Sequence, residues 1–450
     1  MSKKLKALLL ASVLCLSSLV SCVAPNTASS GSDSDSDGAD NGGITETIPQ
    51  GEVGGILEDG KTLMNGFEYF DRDIQLLRVF NDFGVLNDNT DKQYIRTGEH
   101  SLKINPVGSR VHSANPYFLI SSSSLRFEEV AFGDFSKVDT VSFWFYNSEE
   151  EAVNVGIGFG TGSLFTSGAD KRDHIYKTNS EFFTLQNGWN YIEYNVEPAY
   201  LQLQGLNINE VYGITVEFDY LTSHKLADSP TVYLDDVCLS YTDTPKSQEL
   251  AIEVKTGTTA EGNPYWSIAD FEDPLEAYYF AYKYGPEAAL PVIRTVFAGD
   301  YNAITSRGTQ ALLIQKKHGG DTYGWPRVTL NEKVMKAVFA EIGDDILQNP
   351  DNYVFKLDVY NASNVIRNAF TIQFDGATSD GWAGGDPGTW ATYSTTLGRI
   401  DGKKNTEIPY TQSQGTITFA WDRYPTASDL SDRPILVDNV RIEKIMQAEE

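Results

Sequence analysis

Asp139-Thr140-Val141-Ser142-Phe143-Trp144-Phe145-Tyr146-Asn147 decides the fold class. Val141, Phe143 and Phe145 alternate with Ser142, Trp144 and Tyr146, and a period of two is the signature of an extended strand. The same period recurs on both sides. Val153, Val155, Ile157 and Phe159 alternate with Asn154, Gly156, Gly158 and Gly160. Trp189, Tyr191, Glu193 and Asn195 alternate with Asn190, Ile192, Tyr194 and Val196, and Ile214, Val216 and Phe218 with Thr215, Glu217 and Asp219. Aromatic and β-branched residues suit such pleated surfaces. Short alternating strands with turn signals between them predict an all-β chain of antiparallel sandwiches.

The opening stretch has a counterpart in Asn352-Tyr353-Val354-Phe355-Lys356-Leu357-Asp358-Val359-Tyr360-Asn361. Three further anchors repeat in the same order. Gly66-Phe67-Glu68 matches Asp270-Phe271-Glu272, and Arg96-Thr97-Gly98-Glu99-His100-Ser101-Leu102 matches Ser306-Arg307-Gly308-Thr309-Gln310-Ala311-Leu312. Thr231-Val232-Tyr233-Leu234-Asp235-Asp236-Val237 matches Pro434-Ile435-Leu436-Val437-Asp438-Asn439-Val440. The order predicts two tandem β-sandwich domains, 61–243 and 264–446, joined by a Thr-, Lys-, Gly- and Pro-bearing linker, 244–263. One helical insert is expected in the second, capped by Asn331, with Val334, Met335, Val338, Phe339 and Ile342 at helical spacing.

Ahead of these domains, Met1 to Lys6 is basic and Ala7 to Leu19 is apolar, the length of a signal-peptide core and too short for a permanent span. It runs into Leu19-Val20-Ser21-Cys22, which resembles the lipobox of bacterial lipoproteins. The resemblance implies a leader of residues 1–21, cleavage before Cys22 and lipidation of that cysteine. Val23 does not supply an aspartate-type retention signal, so the expected location is the outward face of the cell envelope, with the lipid as the membrane attachment. Residues 22–60, with Ser29-Ser30-Gly31-Ser32-Asp33-Ser34-Asp35-Ser36-Asp37-Gly38, have little to bury and are expected to be a disordered acidic tether.

The chain carries 62 acidic and 35 basic residues, a formal charge of −27. Loss of Lys3, Lys4 and Lys6 with the leader leaves 32 basic residues and a balance of −30. Such a field repels polyanions, so nucleic acid and anionic membrane surfaces are poor partners. Of three cysteines, Cys15 leaves with the leader and Cys22 takes lipid. Cys238 is then alone on a strand, and no disulfide framework is possible.

The initial Phe-Glu, the glycine before a Ser/Ala-Leu strand, the aromatic strand ending in Asn, Gly188-Trp189-Asn190 and the closing Leu-Asp-Asp resemble non-catalytic carbohydrate-binding modules. The resemblance implies the galactose-binding-like jelly-roll fold, twice, although no clear Gly-Trp-Asn stands in the second half. It implies a glycan partner, with surface glycan-degrading enzymes as associates. It also implies structural calcium in each domain, held by Glu68 with Asp235 and by Glu272 with Asp438. The alternative for these acids is bonding to loop amides without metal.

Glycine-rich loops seldom hold large rings for the core. Trp382 and Trp390 lie in Asp380-Gly381-Trp382-Ala383-Gly384-Gly385-Asp386-Pro387-Gly388-Thr389-Trp390, and Trp325 lies in a similar setting. These three, with Tyr393 and Trp421, are the expected ligand contacts, unless they fold back to plug the sandwich end. Trp144 and Trp189, on strands, read as structural. The alternating glycines from Gly156 read as a strip lying under a loop or, less simply, as a flat surface for a chain-like ligand. Gly-x-Ser-x-Gly is absent, and the five histidines lack metal-ligand spacing. The expectation is a surface lipoprotein that binds polysaccharide or oligosaccharide without cleaving it, with no catalytic cofactor. The rivals are an adhesive or structural protein contacting protein, and a jelly-roll glycosidase or lyase.

Overall fold

The computed structural model describes residues 55–68, 77–80, 84–106, 116–121, 135–161, 176–209, 211, 213–219, 230–282, 292–304, 308–316, 327–362, 370–374, 377–383, 386–397, 399–400, 403–404, 417–421 and 433–446. The expected leader, Cys22 and the expected tether as far as residue 54 lie outside them. Among the described residues no helix is long and apolar enough to cross a membrane.

The first half supplies β1 (Thr62–Asn65), β2 (Leu77–Phe80), β3 (Gly84–Asn89), β4 (Ser101–Pro106), β5 (Tyr117–Ser121), β6 (Val138–Asn147), β7 (Val153–Thr161), β8 (Tyr176–Lys177), β9 (Glu181–Leu185), β10 (Gly188–Asn195), β11 (Gly213–Phe218) and β12 (Val232–Tyr241). One sheet runs β10-β6-β12-β4-β3 with β1 beside β12. The other runs β2-β5-β11-β7-β8 with β9 beside β7. From β4 onward the chain crosses between the sheets: β4, β6, β10 and β12 lie in one, β5, β7, β9 and β11 in the other. The resulting orders, β4-β12-β6-β10 and β5-β11-β7-β9, are those of an eight-stranded jelly roll.

The second half repeats it with β13 (Lys255–Thr258), β14 (Pro264–Ala269), β15 (Phe280–Tyr282), β16 (Val292–Phe297), β17 (Gln310–Lys316), β18 (Arg327–Leu330), β19 (Tyr353–Asn361), β20 (Phe370–Phe374), β21 (Ala377–Ala383), β22 (Trp390–Thr396), β23 (Arg399–Ile400), β24 (Lys403–Lys404), β25 (Ile417–Trp421) and β26 (Arg433–Lys444). Here β17-β26-β19-β22 and β18-β25-β20-β21 are the two sheets, strand for strand the order of the first. Backbone strain repeats as well: Phe67 and Phe271 have φ of 61° and 58°, and Asp236 and Asn439 have φ of 45° and 53°. Non-glycine residues adopt such angles only where their surroundings hold them there.

Alternation places one face of each strand inside. Phe143, Phe145, Ile157, Phe159, Val216 and Leu234 are fully buried between the first two sheets, and Leu312, Ile314, Phe355, Leu357, Ile435 and Val437 between the second two. Each such side chain contributes about 1.5–3 kcal/mol. The helix Glu332–Ile342 packs on the second core through Val334, Met335 and Val338, with Phe339 and Ile342 at its rim, and Asn331 caps it by accepting from the Lys333 amide at 2.8 Å.

The stretch 244–263, expected as a linker, is tied to the fold. Its β13 pairs with β14, Leu250, Ile252 and Val254 pack on the second core, and the Lys246 ammonium donates to the Val196 carbonyl at 2.8 Å. The sandwiches also meet directly. Asn179 donates to the Ala277 and Phe280 carbonyls at 3.2 and 2.8 Å, and Gln204 to the Tyr278 and Phe280 carbonyls at 2.7 and 2.9 Å. The cap residue Asn331 donates its amide to the Leu203 carbonyl at 2.8 Å. Arg294 pairs with the buried Asp219 carboxylate at 2.7 Å.

Candidate functional site

The outer face of the β10-β6-β12-β4 sheet is aromatic. Residues opposite one another on paired strands share a face, so the register orders the side chains in rows. The first row is Trp189, Tyr146, Tyr233 and Lys103; the second is Tyr191, Trp144 and Asp235. Their core-facing neighbours are Phe143, Phe145, Ile192 and Leu234, so these rings point away from the core. Trp189 meets Tyr146 edge-on at 5.3 Å and Trp144 at 6.4 Å, and Trp144 lies 5.0 Å from Tyr191. Tyr94 closes one side, stacked on Tyr233 at 4.1 Å and edge-on to Tyr146 at 5.0 Å. Tyr233 is buried beneath it, and burial with the nearby Tyr94 pushes its hydroxyl pKa up to about 12. Trp144, Tyr146 and Trp189 are half-buried, and Tyr191 is 43% exposed.

Two cations edge the patch. The Arg96 guanidinium lies 4.5 Å over the Trp144 ring, and the Lys61 ammonium 4.7 Å over Tyr191. Lys61 also donates to Glu193 at 2.9 Å and to the Tyr191 hydroxyl. Lys61 first, then Tyr191, holds the Glu193 carboxyl below its usual range, so it is ionised. Among the described residues no carboxylate pairs with Arg96.

Two of the acids expected to hold calcium, Glu68 and Asp235, hold the loop that carries Arg96. Asp235 Oδ2 accepts from the Arg96 and Thr97 amides at 2.8 and 3.2 Å, and its Oδ1 accepts from the Asp236 amide at 2.9 Å. Glu68 Oε1 accepts from the Glu99 and His100 amides at 2.8 and 3.0 Å. Glu272 repeats this with the Thr309 and Gln310 amides, both at 2.8 Å. An oxygen that accepts from N–H groups is engaged by them, and calcium takes six to eight oxygen ligands. In the second sandwich Asp438 Oδ1 takes the Asn439 backbone amide, and Asp438 Oδ2 and Asn439 Oδ1 are buried without hydrogen-bond partners among the described residues. Among the described residues no three His, Cys, Asp or Glu side chains are grouped to hold a metal. Glu68, Asp235 and Glu272 thus make loop-amide contacts in this structure.

No family model matches the sequence, and no curated protein matches it. Solved structures similar to it include a family 11 carbohydrate-binding module from Clostridium thermocellum in complex with a β-1,3-1,4-mixed-linked tetrasaccharide. It is 13% identical, with a TM-score of 0.27, covering 42% of this chain and 98% of that one. A family 30 carbohydrate-binding module of a Clostridium thermocellum cellulosomal cellulase is 13% identical, with a TM-score of 0.26, covering 38% and 93%. The module TmCBM61 in complex with β-1,4-galactotriose is 14% identical, with a TM-score of 0.23, covering 42% and 98%.

Of the residues expected to contact ligand, Trp390 and Tyr393 lie on β22. Trp390 opens β22 opposite Tyr360, with the rings 5.3 Å apart, just as Trp189 stands opposite Tyr146. It is thus the counterpart of Trp189, and Gly388-Thr389-Trp390 takes the place of the missing Gly-Trp-Asn. Tyr393 packs on the inner core. The backbone of Trp382 pairs with Thr371 on β21, and that of Trp421 with Phe370 on β25, both in the other sheet. Trp325 lies outside the described residues. The glycine strip is occupied: a Cβ on Gly156 would come within 2.8 Å of the Phe182 ring and Ser180, and one on Gly158 within 2.9 Å of Thr215.

The patch in the first sandwich was therefore missed, although its signal is in the sequence. Trp144 and Tyr146 alternate with Phe143 and Phe145. A large ring out of phase with the core face of a strand must find cover elsewhere or remain available to a partner.

Proposed function

We propose that the chain binds a neutral polysaccharide or oligosaccharide, without cleaving it, on the aromatic face of the first sandwich. The observation that carries this reading is the pair of rows Trp189-Tyr146-Tyr233 and Tyr191-Trp144, bordered by Arg96 and Lys61. A sugar ring offers a C–H face that packs on an indole or phenol, and its hydroxyls need hydrogen-bonding neighbours. Arg96, Lys61 and Glu193 supply those. The rings meet one another at steep angles, 81° between Trp144 and Trp189 and 78° between Tyr146 and Trp189. Such a corrugated surface suits a single glycan chain better than a flat crystalline one. The chain's strong negative charge favours an uncharged ligand.

A binding role without hydrolysis fits the carboxylates of the face. Glu193 is committed to Lys61 and Tyr191, and Asp235 to loop amides. Catalytic pairs need one acid and one base facing a shared gap. We place the chain on the outer cell envelope by lipid on Cys22, where it would concentrate glycan for partner enzymes.

Electrophoresis of the full chain through native gels containing soluble starch, xyloglucan, mixed-linkage β-glucan or galactan tests the reading. One or more of these should retard it, and Trp144→Ala and Tyr191→Ala should abolish the retardation while the melting temperature stays within a few degrees. No reducing sugar should be released. Retardation by none of them, or retardation indifferent to both substitutions, would sink the proposal.

A further inference from the structure

We infer that each chain carries one ligand face, because the second sandwich has turned the equivalent face into its joint with the first. The inference rests on the glycan reading above and adds to it the number and place of the sites.

Strand equivalence allows the two faces to be compared position by position. The first row, Trp189-Tyr146-Tyr233-Lys103-Asn87, becomes Trp390-Tyr360-Leu436-Leu313-Arg294. The second row, Tyr191-Trp144-Asp235, becomes Thr392-Asp358-Asp438. Both rings that carry a cation in the first sandwich are thus replaced by short polar side chains. Asp358 accepts from the Thr392 hydroxyl at 2.7 Å and from the Asn439 amide at 2.9 Å. In the next row Lys356 and Arg441 both bond to Glu443 at 2.6 Å. In this half of the face polar side chains bond to one another, and its rows place no ring where a sugar could stack.

The other half is covered. Leu313 and Leu436 have no exposed surface and Tyr360 only 5%, although all three stand on the outer side of the sheet. Phe182 of the first sandwich packs on this cluster. Arg294, at the end of the same row, lies 4.5 Å over the Phe182 ring and reaches Asp219. An apolar row joined to a buried ion pair is a built contact between the sandwiches, and it occupies the surface that is open in the first.

Hydroxyl-radical footprinting of the full chain, read residue by residue, tests the closure without any ligand. Tyr191 should oxidise at least fivefold faster than Tyr360. Phe182→Ala or Arg294→Ala should accelerate oxidation of Tyr360 and leave Tyr191 unchanged. Footprinting and titration with mixed-linkage β-glucan, xyloglucan, galactan and soluble starch then count the sites. A glycan that binds should protect Trp144, Trp189 and Tyr191 only, with a stoichiometry of one. Trp144→Ala should weaken it tenfold or more, whereas Thr392→Ala and Asp358→Asn should not change its affinity. Protection on β19 or β22, two sites per chain, or Tyr360 reacting as fast as Tyr191 would overturn the inference. Should no glycan bind, the glycan reading fails, and the ligand-free comparison still decides whether the second face is closed.

Discussion

Tyr194 of β10 and Tyr278 of the turn Pro274–Tyr279 share a hydrogen bond of 2.7 Å between two buried hydroxyls. Each sandwich supplies one of them. Burial pushes the Tyr194 pKa well up, with Tyr278 adding to the effect, so both remain neutral. Tyr194→Phe or Tyr278→Phe leaves the other hydroxyl buried without its partner, which costs about 1–3 kcal/mol. Replacing both should cost less than the sum of the two, because no orphan hydroxyl remains. Urea unfolding of the two single variants and the double variant measures the coupling; additive losses would mean that the hydroxyls do not depend on each other.

Gly98 has φ of 69°, and a Cβ there would come 2.0 Å from the Glu68 carboxylate. Gly308 repeats this beside Glu272, with φ of 91° and a gap of 2.1 Å. Alanine at either position must adopt a left-handed backbone and displace a carboxylate that holds two amides. Each substitution should destabilise by about 1–3 kcal/mol. Their effects on binding should differ. Gly98→Ala disturbs the loop that lays Arg96 on Trp144, so it should weaken glycan affinity at temperatures where the fold is intact. Gly308→Ala should lower the melting temperature alone. Equal loss of affinity in both would contradict the assignment of the site to the first sandwich.

Much of this architecture was legible because period and repeat are sequence properties. Val141, Phe143 and Phe145 identified a core face, and the paired anchors identified a duplication before any strand was placed. The site was less legible. Alternation shows that Trp144 and Tyr146 leave the core but not whether another element covers them. That depends on contacts such as Phe182 with Leu313 and Leu436, which are distant in sequence. Trp390 was misread for a different reason. Gly388-Thr389-Trp390 holds one residue more than Gly188-Trp189 and follows a glycine-rich run, so no period announces β22 before it starts. Glu68 and Asp235 both bond to the loop 96–100, but their donors are backbone amides, which residue names do not reveal.

Cys238 faces outward on β12, opposite Ser142, yet is only 4% exposed. Burial, followed by the charge of Asp236, pushes its thiol pKa up to about 12. The thiolate is the reactive form, so iodoacetamide at pH 8 should leave Cys238 unmodified in the folded chain. Modification of the peptide spanning 232–241, followed by mass spectrometry across a urea series, should track global unfolding. Rapid labelling in the absence of urea would show that this end of the sheet opens locally.

Asp438 should give stability a pH dependence of unusual sign. Its Oδ2 is buried without a partner, and burial pushes its pKa up to about 7, aided by the charges of Asp358, Asp270 and Glu272. An unfolded aspartate titrates near 3.9. Between those values the folded chain retains a proton that the unfolded chain has released, so the contribution is full below about pH 4 and is lost as pH rises through 7. Most paired carboxylates act in the opposite direction. Asp438→Asn supplies an uncharged group of similar shape, so it should remove this decline and raise stability at pH 8 relative to pH 5. Unfolding midpoints of the native chain and the Asn variant, compared from pH 4.5 to 8.5, isolate the contribution. Parallel curves would show that Asp438 is ionised in the fold throughout, with its second oxygen satisfied by a donor or a cation after all.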